Sequence, residues 1–429
     1  MGAVASACAP QGAIPAARST EQVQLVYQDW RTEWFPPMAQ QMLDSFHASH
    51  PNIRVFFTTD PEDLIERMPL DMDAGTAPDI LAGCCDFLPA WAQDGHLLDL
   101  RPFVEADLDR ATIDDWDRAQ YRAFFTADGR QFALPKYHGA LGLYYNKDVF
   151  DEYGVDYPDG TWTHDDYQQA MRQLSRLRDM RGNPEVWGSM LDVAWERIQV
   201  HANGWGGRFV NPADPHLSLM DSEPSLAAME WIRAQMWDER VMASFLDVNN
   251  VETRQAFIAQ RIAMVEDGSW ALKDILSNAD FRVGVAPFPA GPVRRATLAT
   301  TDGFAIYAGT RHPEAAWELL KFLTSPQYGR AMARASYLQP AHASLVEEWI
   351  DIVQTEFPDK AREVDVGAFA DGHLQDYSVT AEVFANQAVA ARLARAAWEQ
   401  IFTLGQAPVS LMREVSAEIE AAQRQGSQD

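Results

Sequence analysis

The stretch VQLVYQDWRTEWFPPMAQQMLDSFHASHPNIRVFFTTD, residues 23–60, holds two alternating apolar segments separated by an amphipathic one. VQLVY and IRVFF place apolar residues at every second position, which predicts a half-buried strand in each. Between them, Pro36 and Pro37 precede Met38, Met42 and Phe46, which have helical spacing, and HPN ends that pattern. We therefore predict a helix that connects two strands.

The following residues continue this order. Residues 61–74 have a helical pattern, and GTAPDILAG leads into a short apolar strand. Alternation of strands and helices predicts a parallel sheet with crossover helices. Ligands bind beyond the carboxyl ends of such strands. Trp30 and the segment Cys84-Cys85-Asp86 each follow a predicted strand, so we expect them at one rim of the sheet.

Length and charge limit the classes of function. A chain of 429 residues is expected to form two or three domains. A net charge of −27 disfavours nucleic acid and anionic lipid as partners. No motif for covalent catalysis is present, the 10 histidines show no convincing metal spacing, and no cofactor is predicted.

Residues 1–22 are predicted to lie outside the fold. Small residues at Ala5, Ser6 and Ala7 directly precede Cys8, and a polar tether follows. This pattern is similar to the end of a bacterial lipoprotein signal, with Cys8 as the lipidated residue. Gly2 together with Ser6 also fits an N-myristoylation pattern, and a disordered chain terminus is the third interpretation.

A set of motifs occurs in order along the chain: GTAPDI, WAQDGHLLDLRPFV, FALPKYHG, NGWGG, IAMVEDGSWAL, VGVAPFPAGP, TTDGFAIYAGTRHPEAAWELLKFLTSP and LQPAHASL. Together they resemble the extracellular sugar-binding proteins of ABC importers, the group that includes maltodextrin-binding proteins. The similarity extends from about residue 22 to residue 415. It implies an α/β periplasmic-binding-protein (Venus flytrap) fold, with two lobes that each contain a mainly parallel sheet flanked by helices.

The resemblance also implies how the lobes divide the chain. Lobe 1 is expected to contain residues 23–134 and 297–323. Lobe 2 is expected to contain residues 135–296 and 324–415, including the C-terminal helices, and residues 416–429 form a tail. The segment FALPKYHG interrupts the local pattern where the first crossing between lobes is expected.

A sugar site combines flat apolar faces with fixed polar groups, and tryptophan supplies such faces. Trp270 in EDGSW occupies a position that commonly lines the site in the resembled family, and Trp30 follows the first strand. A core position is the alternative for each, because tryptophan is highly buried on average. The remaining candidates are Trp205, Gly206, Tyr137, His138, Asp267 and Asp302.

These remaining candidates have structural alternatives. Trp205 and Gly206 could form a turn, and His138 could be a satisfied donor in a buried hinge. Asp267 and Asp302 could accept sugar hydroxyls or simply shape turns. The adjacent acids Glu266 and Asp267 would also fit a glycosidase, although a solvated turn is the more common role of such a pair.

Cys84 and Cys85 are adjacent in a chain with three cysteines. Outside the cell a disulfide persists, so we predict a vicinal disulfide that lines the ligand rim. Adjacent Cα atoms lie about 3.8 Å apart, below the usual range for a disulfide, and such strain is typical of functional sites. Two buried thiols in lobe 1 are the alternative.

The sequence therefore predicts a monomeric extracytoplasmic protein, either periplasmic or a lipoprotein at the cell surface. It would capture a mono- or oligosaccharide between its lobes and deliver it to the permease subunits of an ABC importer, with no membrane contact beyond a lipid anchor. Two alternatives remain open: a secreted carbohydrate-active enzyme, and a carrier of a polar non-sugar such as a polyol phosphate. Arg294 and Arg295 would favour the second if they faced the cleft.

Overall fold

Two five-stranded sheets organise the structure, a computed structural model that describes residues 22–84 and 87–426. In chain order the strands are β1 (Val23–Asp29), β2 (Ile53–Thr59), β3 (Ile80–Gly83), β4 (Leu134–Pro135), β5 (Leu141–Asn146), β6 (Trp187–Met190), β7 (Val210–Asn211), β8 (Asp214–Ser218), β9 (Met242–Ala243), β10 (Ile262–Gly268), β11 (Val283–Pro287), β12 (Thr297–Leu298), β13 (Gly303–Ile306) and β14 (Ser378–Val379).

Helices connect these strands and cover the sheets. In chain order they are α1 (Phe35–Ser49), α2 (Leu64–Asp73), α3 (Phe87–Gln93), α4 (Arg101–Asp107), α5 (Arg110–Asp114), α6 (Arg118–Ala123), α7 (Lys147–Tyr153), α8 (His164–Leu174), α9 (Trp195–Gly204), α10 (Glu223–Arg233), α11 (Thr253–Ile258), α12 (Leu272–Asn278), α13 (Pro313–Leu323), α14 (Pro326–Ser336), α15 (Val346–Glu356), α16 (Asp371–Leu374), α17 (Gln387–Trp398) and α18 (Met412–Gly426). None of the helices in this part of the chain is long and apolar enough to cross a membrane.

The first sheet has the strand order β2-β1-β3-β13-β4. Strand β1 pairs in parallel with β2 and β3, which confirms the parallel strands that the alternating sequence predicted. The buried face of α1, including Met38, Met42 and Phe46, packs in the same core as β1. β13 returns much later in the chain and pairs antiparallel with β3 and β4. We call the body around this sheet lobe 1.

The second sheet has the order β11-β5-β10-β6-β9. β10 is parallel to β6 and antiparallel to β5, so the carboxyl ends of β6 and β10 lie at the same edge. Its strands are buried on both faces, which explains their nearly continuous apolar sequences. α8 packs against β6 and begins with a capping box between Thr163 and Asp166, as its sequence predicts. We call the body around this sheet lobe 2.

Three chain segments lie side by side where the lobes meet, and we call them the hinge: residues 136–140, 297–302 and 337–342. The first segment is central. The amide of His138 donates to the carbonyl of Gln339 (3.0 Å), and the amide of Thr300 donates to the carbonyl of Gly139 (2.8 Å). Isolated bridges pair Ala140 with Ala299 and Tyr137 with Pro340 in the same region. The chain therefore passes between the lobes three times at one place.

The structure differs from the predicted division of the chain at two places. Helix α14, expected in lobe 2, packs against α1, and its Tyr328 and Met332 are buried in the lobe 1 core. Residues 416–426, expected in a tail, continue α18, because Ile419 is buried in the lobe 2 core. The side chain of Ser416 also donates a hydrogen bond to Ser218 (2.6 Å).

Candidate ligand-binding cleft

The carboxyl ends of parallel strands in both lobes point toward one cleft. In lobe 1, Trp30 follows β1 and Asp60 follows β2. In lobe 2, Trp270 lies just beyond β10, and Asp192 lies just beyond β6. All four residues line cavities between the lobes. The rim that the sequence predicted for lobe 1 therefore has a counterpart in lobe 2.

The larger cavity in the cleft has a volume of about 780 Å³, within the usual range for small-ligand sites. Lobe 1 contributes aromatic and charged side chains, the hinge contributes Tyr137, and lobe 2 contributes Trp270 with the polar face of α12. Its wall includes Trp30, Arg31, Trp34, Asp60, Tyr137, Trp270, Lys273, Asp274 and Asn278. The cavity thus combines flat apolar faces with polar groups of both signs.

A smaller cavity of about 210 Å³ lies on the other side of Trp270. Its wall includes Asp192, Glu196, Arg197, Trp270, Thr300, Thr301 and Asp302. Because Trp270 borders both cavities, its indole is the boundary between the two halves of the cleft.

Two glycines make room for the Trp270 ring. A Cβ atom at Gly268 would lie 2.3 Å from the indole, and one at Gly139 would lie 3.0 Å from it. Real Cβ contacts do not come as close as the first of these distances, so a side chain at Gly268 would displace the ring. The indole is therefore held against the end of β10 and the central hinge segment.

Trp30 is fixed by aromatic neighbours and by a buried cation. Its ring meets Trp34 and Tyr137 edge-to-face, with centroid distances of 6.0 and 5.6 Å. The ammonium of Lys136 lies 3.2 Å from the centroid of the Trp30 ring and forms a fully buried ion pair with Asp29. A desolvated cation over an indole face is an attractive contact, so this pair holds the ring in place.

Burial changes the ionisation of the charged groups in this region. It lowers the pKa of Lys136. Burial, followed by repulsion from Asp29, raises the pKa of Asp60 to about 6. Burial also raises the pKa of Asp302 to about 6, although the positive charge of Lys136 opposes the increase. Asp60 and Asp302 border the larger and the smaller cavity, respectively, so both cavities contain a carboxyl group that titrates near pH 6.

Asp267 is buried beneath Trp270 and is already paired. It accepts hydrogen bonds from Arg254 (2.8 Å), Arg197 (3.4 Å) and the amide of Gly268 (2.7 Å). Its neighbour Glu266 pairs with His201 (3.0 Å). Asp267 therefore positions the arginines, and the structure does not place it on a cavity wall as a free acceptor for sugar hydroxyls.

Arg197 is one of several cleft residues, with Asp60, Asp192 and Lys273, that were not predicted from the sequence. Its guanidinium lies 5.4 Å from the centroid of the Trp270 ring, and its Nη1 atom is buried without a hydrogen-bond partner in the described part of the chain. Arg197 occurs in the first turn of α9, the helix that follows β6. The rule that placed Trp30 at the end of β1 would have found Arg197 if it had been applied to lobe 2.

The other predicted residues are spread through the structure. Trp30, Tyr137, Trp270 and Asp302 are brought together in the cleft, whereas Trp205 packs between His164 and Trp231 inside lobe 2, with ring centroids 4.7 and 5.7 Å away. Gly206 is exposed beside Val293. Neither residue lies on a wall of the two cleft cavities.

The His138 side chain is fully buried behind the hinge, away from both cavities. Cys84 directly follows β3 at the expected rim and is half-buried. Cys8, Cys85 and Asp86 lie outside the described residues, so the vicinal disulfide and the lipidation site stay predictions.

Arg294 and Arg295 have separate environments. Arg295 donates to the backbone carbonyls of Phe288 and Trp162, which is a structural role within lobe 2. Arg294 donates to the carbonyl of Asn203 (3.0 Å) and also borders a third interlobe cavity of about 570 Å³ with Arg122 and Arg208. Arg294 therefore faces space between the lobes, and Arg295 does not border that cavity.

A family model matches the chain over residues 28–330, which include the lobe 2 sheet, most of the lobe 1 sheet and most of the cleft residues; its description is bacterial extracellular solute-binding protein. The chain belongs to this family. Among curated proteins, this solute-binding protein is similar to the maltodextrin-binding protein MdxE of Bacillus subtilis. The two are 24% identical over 292 residues, which is 65% of this chain and 64% of the relative.

Solved structures with the same fold extend over nearly the whole solute-binding protein. An ABC substrate-binding protein of Listeria monocytogenes in complex with cycloalternan matches 95% of this chain and 99% of its own, with a TM-score of 0.77 and 22% identity. A cyclic α-maltosyl-1,6-maltose binding protein of Arthrobacter globiformis matches 94% of this chain and 99% of its own, with a TM-score of 0.76 and 19% identity. The two-lobed fold is thereby confirmed.

Proposed function

We propose that this solute-binding protein captures a mono- or oligosaccharide in the cleft and delivers it to an ABC importer. The observation that carries the proposal is the placement of Trp30 and Trp270. They extend from different lobes into one cavity of about 780 Å³, so two flat apolar faces are available to sugar rings.

Polar groups around the two indoles supply the hydrogen bonds that hydroxyl groups require. The guanidinium of Arg197 borders the smaller cavity as a donor, and Asp60 and Asp302 accept when they are ionised. A neutral ligand with many hydroxyl groups suits this mixture better than an apolar ligand does. The names of the maltodextrin-binding relative and of the two solved structures support the same class of ligand.

Binding would be coupled to closure of the lobes. A ligand that contacts Trp30 on lobe 1 and Trp270 beside lobe 2 gains more contacts when the lobes approach each other. It therefore shifts the population toward the closed form, with bending at the three hinge segments. The outer surfaces of the closed lobes would then contact the permease.

We place the mature protein outside the cytoplasm as a monomer. The family description supports an extracellular location. Attachment to the membrane through a lipid on Cys8 is part of the proposal and rests on the small residues that precede this cysteine. A mass spectrum of the protein purified from bacterial membranes, compared with a Cys8→Ser variant, tests this attachment.

We also propose that the protein is a carrier and not an enzyme. Asp267, the acid that would suit a glycosidase, is already paired with two arginines. A carrier returns its ligand unchanged, so prolonged incubation with a bound oligosaccharide should give no shorter product on chromatography. Depletion of the oligosaccharide would favour the secreted enzyme.

A thermal-shift screen tests the binding function directly. The panel runs from glucose to maltotetraose and includes cycloalternan and cyclic α-maltosyl-1,6-maltose. A ligand at about 100 times its Kd should stabilise the protein by about 2.7 kcal/mol, which gives a visible increase in Tm. If no carbohydrate raises Tm and none binds by calorimetry, the proposed ligand class is wrong.

One observation supports a second ligand class. Arg122, Arg208 and Arg294 border the third interlobe cavity of about 570 Å³ and would attract an anion. Arg208 is already paired with Glu382 at 3.4 Å, which reduces its positive charge. Glycerol 3-phosphate in the same screen distinguishes the two classes, because only a polyol phosphate carrier would respond to it and not to the neutral sugars.

A further inference from the structure

Three side chains that are far apart in the sequence meet behind the hinge. Asp117 precedes α6 in lobe 1, His138 lies in the central hinge segment, and His373 lies on α16. Their potential metal-ligating atoms all lie within 4.8 Å of one another. These residues lie outside the two cavities around Trp270, so ligand binding in the cleft does not account for their arrangement.

The central histidine is unusual because it is fully buried and its ring nitrogens form no hydrogen bond of normal geometry in the described part of the chain, although Asp117 lies 3.5 Å from Nε2. The His138 side chain is completely inaccessible to solvent, and neither of its ring nitrogens has a hydrogen-bond partner among the described residues. A buried nitrogen without a partner costs free energy, commonly about 1–3 kcal/mol. A bound group in contact with this ring would remove that cost.

The distances suit a metal ion. His138 Nε2 and Asp117 Oδ2 are 3.5 Å apart. Two ligands of one tetrahedral ion at ordinary Zn–N and Zn–O distances are separated by about 3.4 Å. The His373 ring stacks on the His138 ring, with centroids 5.1 Å apart, and is less deeply buried, so a rotation of this side chain would complete the set.

The chemistry of the three groups indicates the class of ion. Two imidazoles and one carboxylate are ligands that Zn²⁺ and its first-row neighbours prefer, whereas Ca²⁺ and Mg²⁺ prefer oxygen. We propose that Asp117, His138 and His373 form a binding site for one divalent transition-metal ion at the hinge.

The location gives the ion a structural role. Asp117 belongs to lobe 1, because the preceding Trp116 is buried in the lobe 1 core. His373 follows Phe369, which is buried in the lobe 2 core. An ion held by both would connect the lobes through the hinge and bind best at one angle between them. Metal binding should therefore favour one arrangement of the lobes over the others.

Titration calorimetry with Zn²⁺ on the EDTA-treated, full-length protein tests the site. We expect one Zn²⁺ per chain, and Co²⁺ should give visible absorption bands of a site with fewer than six ligands. Asp117→Asn keeps the oxygen that caps α6, and His373→Ala changes a residue that is only partly buried, so both variants should fold. Each should weaken Zn²⁺ binding at least about tenfold, because even outer-shell changes have effects of that size.

His216→Gln is the matched control. His216 also pairs with an aspartate, Asp214 at 3.0 Å, but this pair is partly exposed to solvent and lies in β8, outside the three hinge segments. The control should bind Zn²⁺ as the parent does. Absence of Zn²⁺ binding by the parent overturns the proposal. Equal affinity in the parent and in folded His373→Ala, or loss of binding only in His216→Gln, also overturns it.

Discussion

The guanidinium of Arg197 lies 5.4 Å from the centre of the Trp270 ring, and both residues border the smaller cavity of the cleft. Arg197 also donates a hydrogen bond to Asp267 at 3.4 Å, and this bond orients the guanidinium. Its Nη1 atom has no hydrogen-bond partner among the described residues. A stacking face and a fixed donor therefore stand side by side.

Replacement of Trp270 by Ala should weaken carbohydrate binding at least tenfold, roughly 1.4 kcal/mol or more. The physical reason is loss of the one indole that borders both cavities. Calorimetry with the best carbohydrate from the screen measures the effect. Trp162→Ala is the control: this tryptophan is also half-buried but packs against Phe150 in lobe 2, so it should change stability and leave affinity intact. Unchanged affinity in Trp270→Ala would remove this ring from the site.

Arg197→Gln should weaken carbohydrate binding at least tenfold as well, because the charged guanidinium beside Trp270 is lost and the shorter glutamine amide does not reach the same position. Arg254→Gln provides the comparison, since Arg254 bonds to the same Asp267 at 2.8 Å but borders neither cleft cavity. It should lower the free energy of unfolding and preserve most of the affinity. Equal losses of affinity in the two variants would mean that carbohydrate binding depends on the charge balance around Asp267 and not on the guanidinium of Arg197 itself.

Asp302→Asn should change how stability depends on pH. Folding raises the pKa of Asp302 from 3.8 to about 6, so the native state holds more protons than the unfolded state between these values. The unfolding free energy contributed by this group therefore falls as pH rises through that window. Asparagine does not titrate, so the unfolding free energy of the variant relative to that of the parent should increase from about pH 4 to pH 6. Above pH 6 the difference between the two proteins should be constant. Urea titrations across this pH range measure the two unfolding free energies. A difference that does not change with pH would contradict the raised pKa of Asp302.

Small-angle scattering should show a smaller radius of gyration when carbohydrate is bound. The reason is closure of the lobes about the three hinge segments, because the ligand contacts both lobes. The measurement compares the protein with and without a saturating carbohydrate identified by the thermal-shift screen. An unchanged radius, together with confirmed binding and an open ligand-free form, would exclude the closure mechanism.

Cys84 and Cys85 should be joined to each other in protein made under oxidising conditions. Cys84 lies directly after β3, where ligands of such sheets bind. Alkylation of the unfolded protein without reductant should leave this pair unmodified in an intact-mass spectrum. Two added alkyl groups on the pair would show free thiols. A Cys84→Ser, Cys85→Ser double variant that binds carbohydrate as well as the parent would assign the pair no role in binding.

The local sequence pattern was sufficient to predict the strands and helices in the first half of lobe 1. Strand alternation and helix caps act between residues close in sequence, so β1, α1, β2 and β3 could be predicted from residues 23–83. The rim rule and the family resemblance led to Trp30 and Trp270.

The sequence could not predict contacts that depend on the folded lobes. Lysine is usually found at the protein surface, yet Lys136 is buried as the partner of Asp29, which is more than 100 positions away in the chain. His138 and His373 are likewise distant in the chain, and no spacing rule connects them. The role of Trp205 could not be chosen from its neighbours, because a tryptophan among glycines has the same local sequence in a turn and in a binding site; in the structure its ring packs against His164.

The insertion of β13 between β3 and β4 has a consequence for the order of folding during synthesis. All five strands of the lobe 2 sheet occur between Leu141 and Pro287, so that sheet can form as soon as this stretch has emerged. The lobe 1 sheet cannot close until Ile306 is available, and α1 gains its partner α14 only after Ser336. During vectorial synthesis or export, β3 therefore remains an open edge able to pair wrongly, and the lobe that begins the chain is completed after the one that follows it.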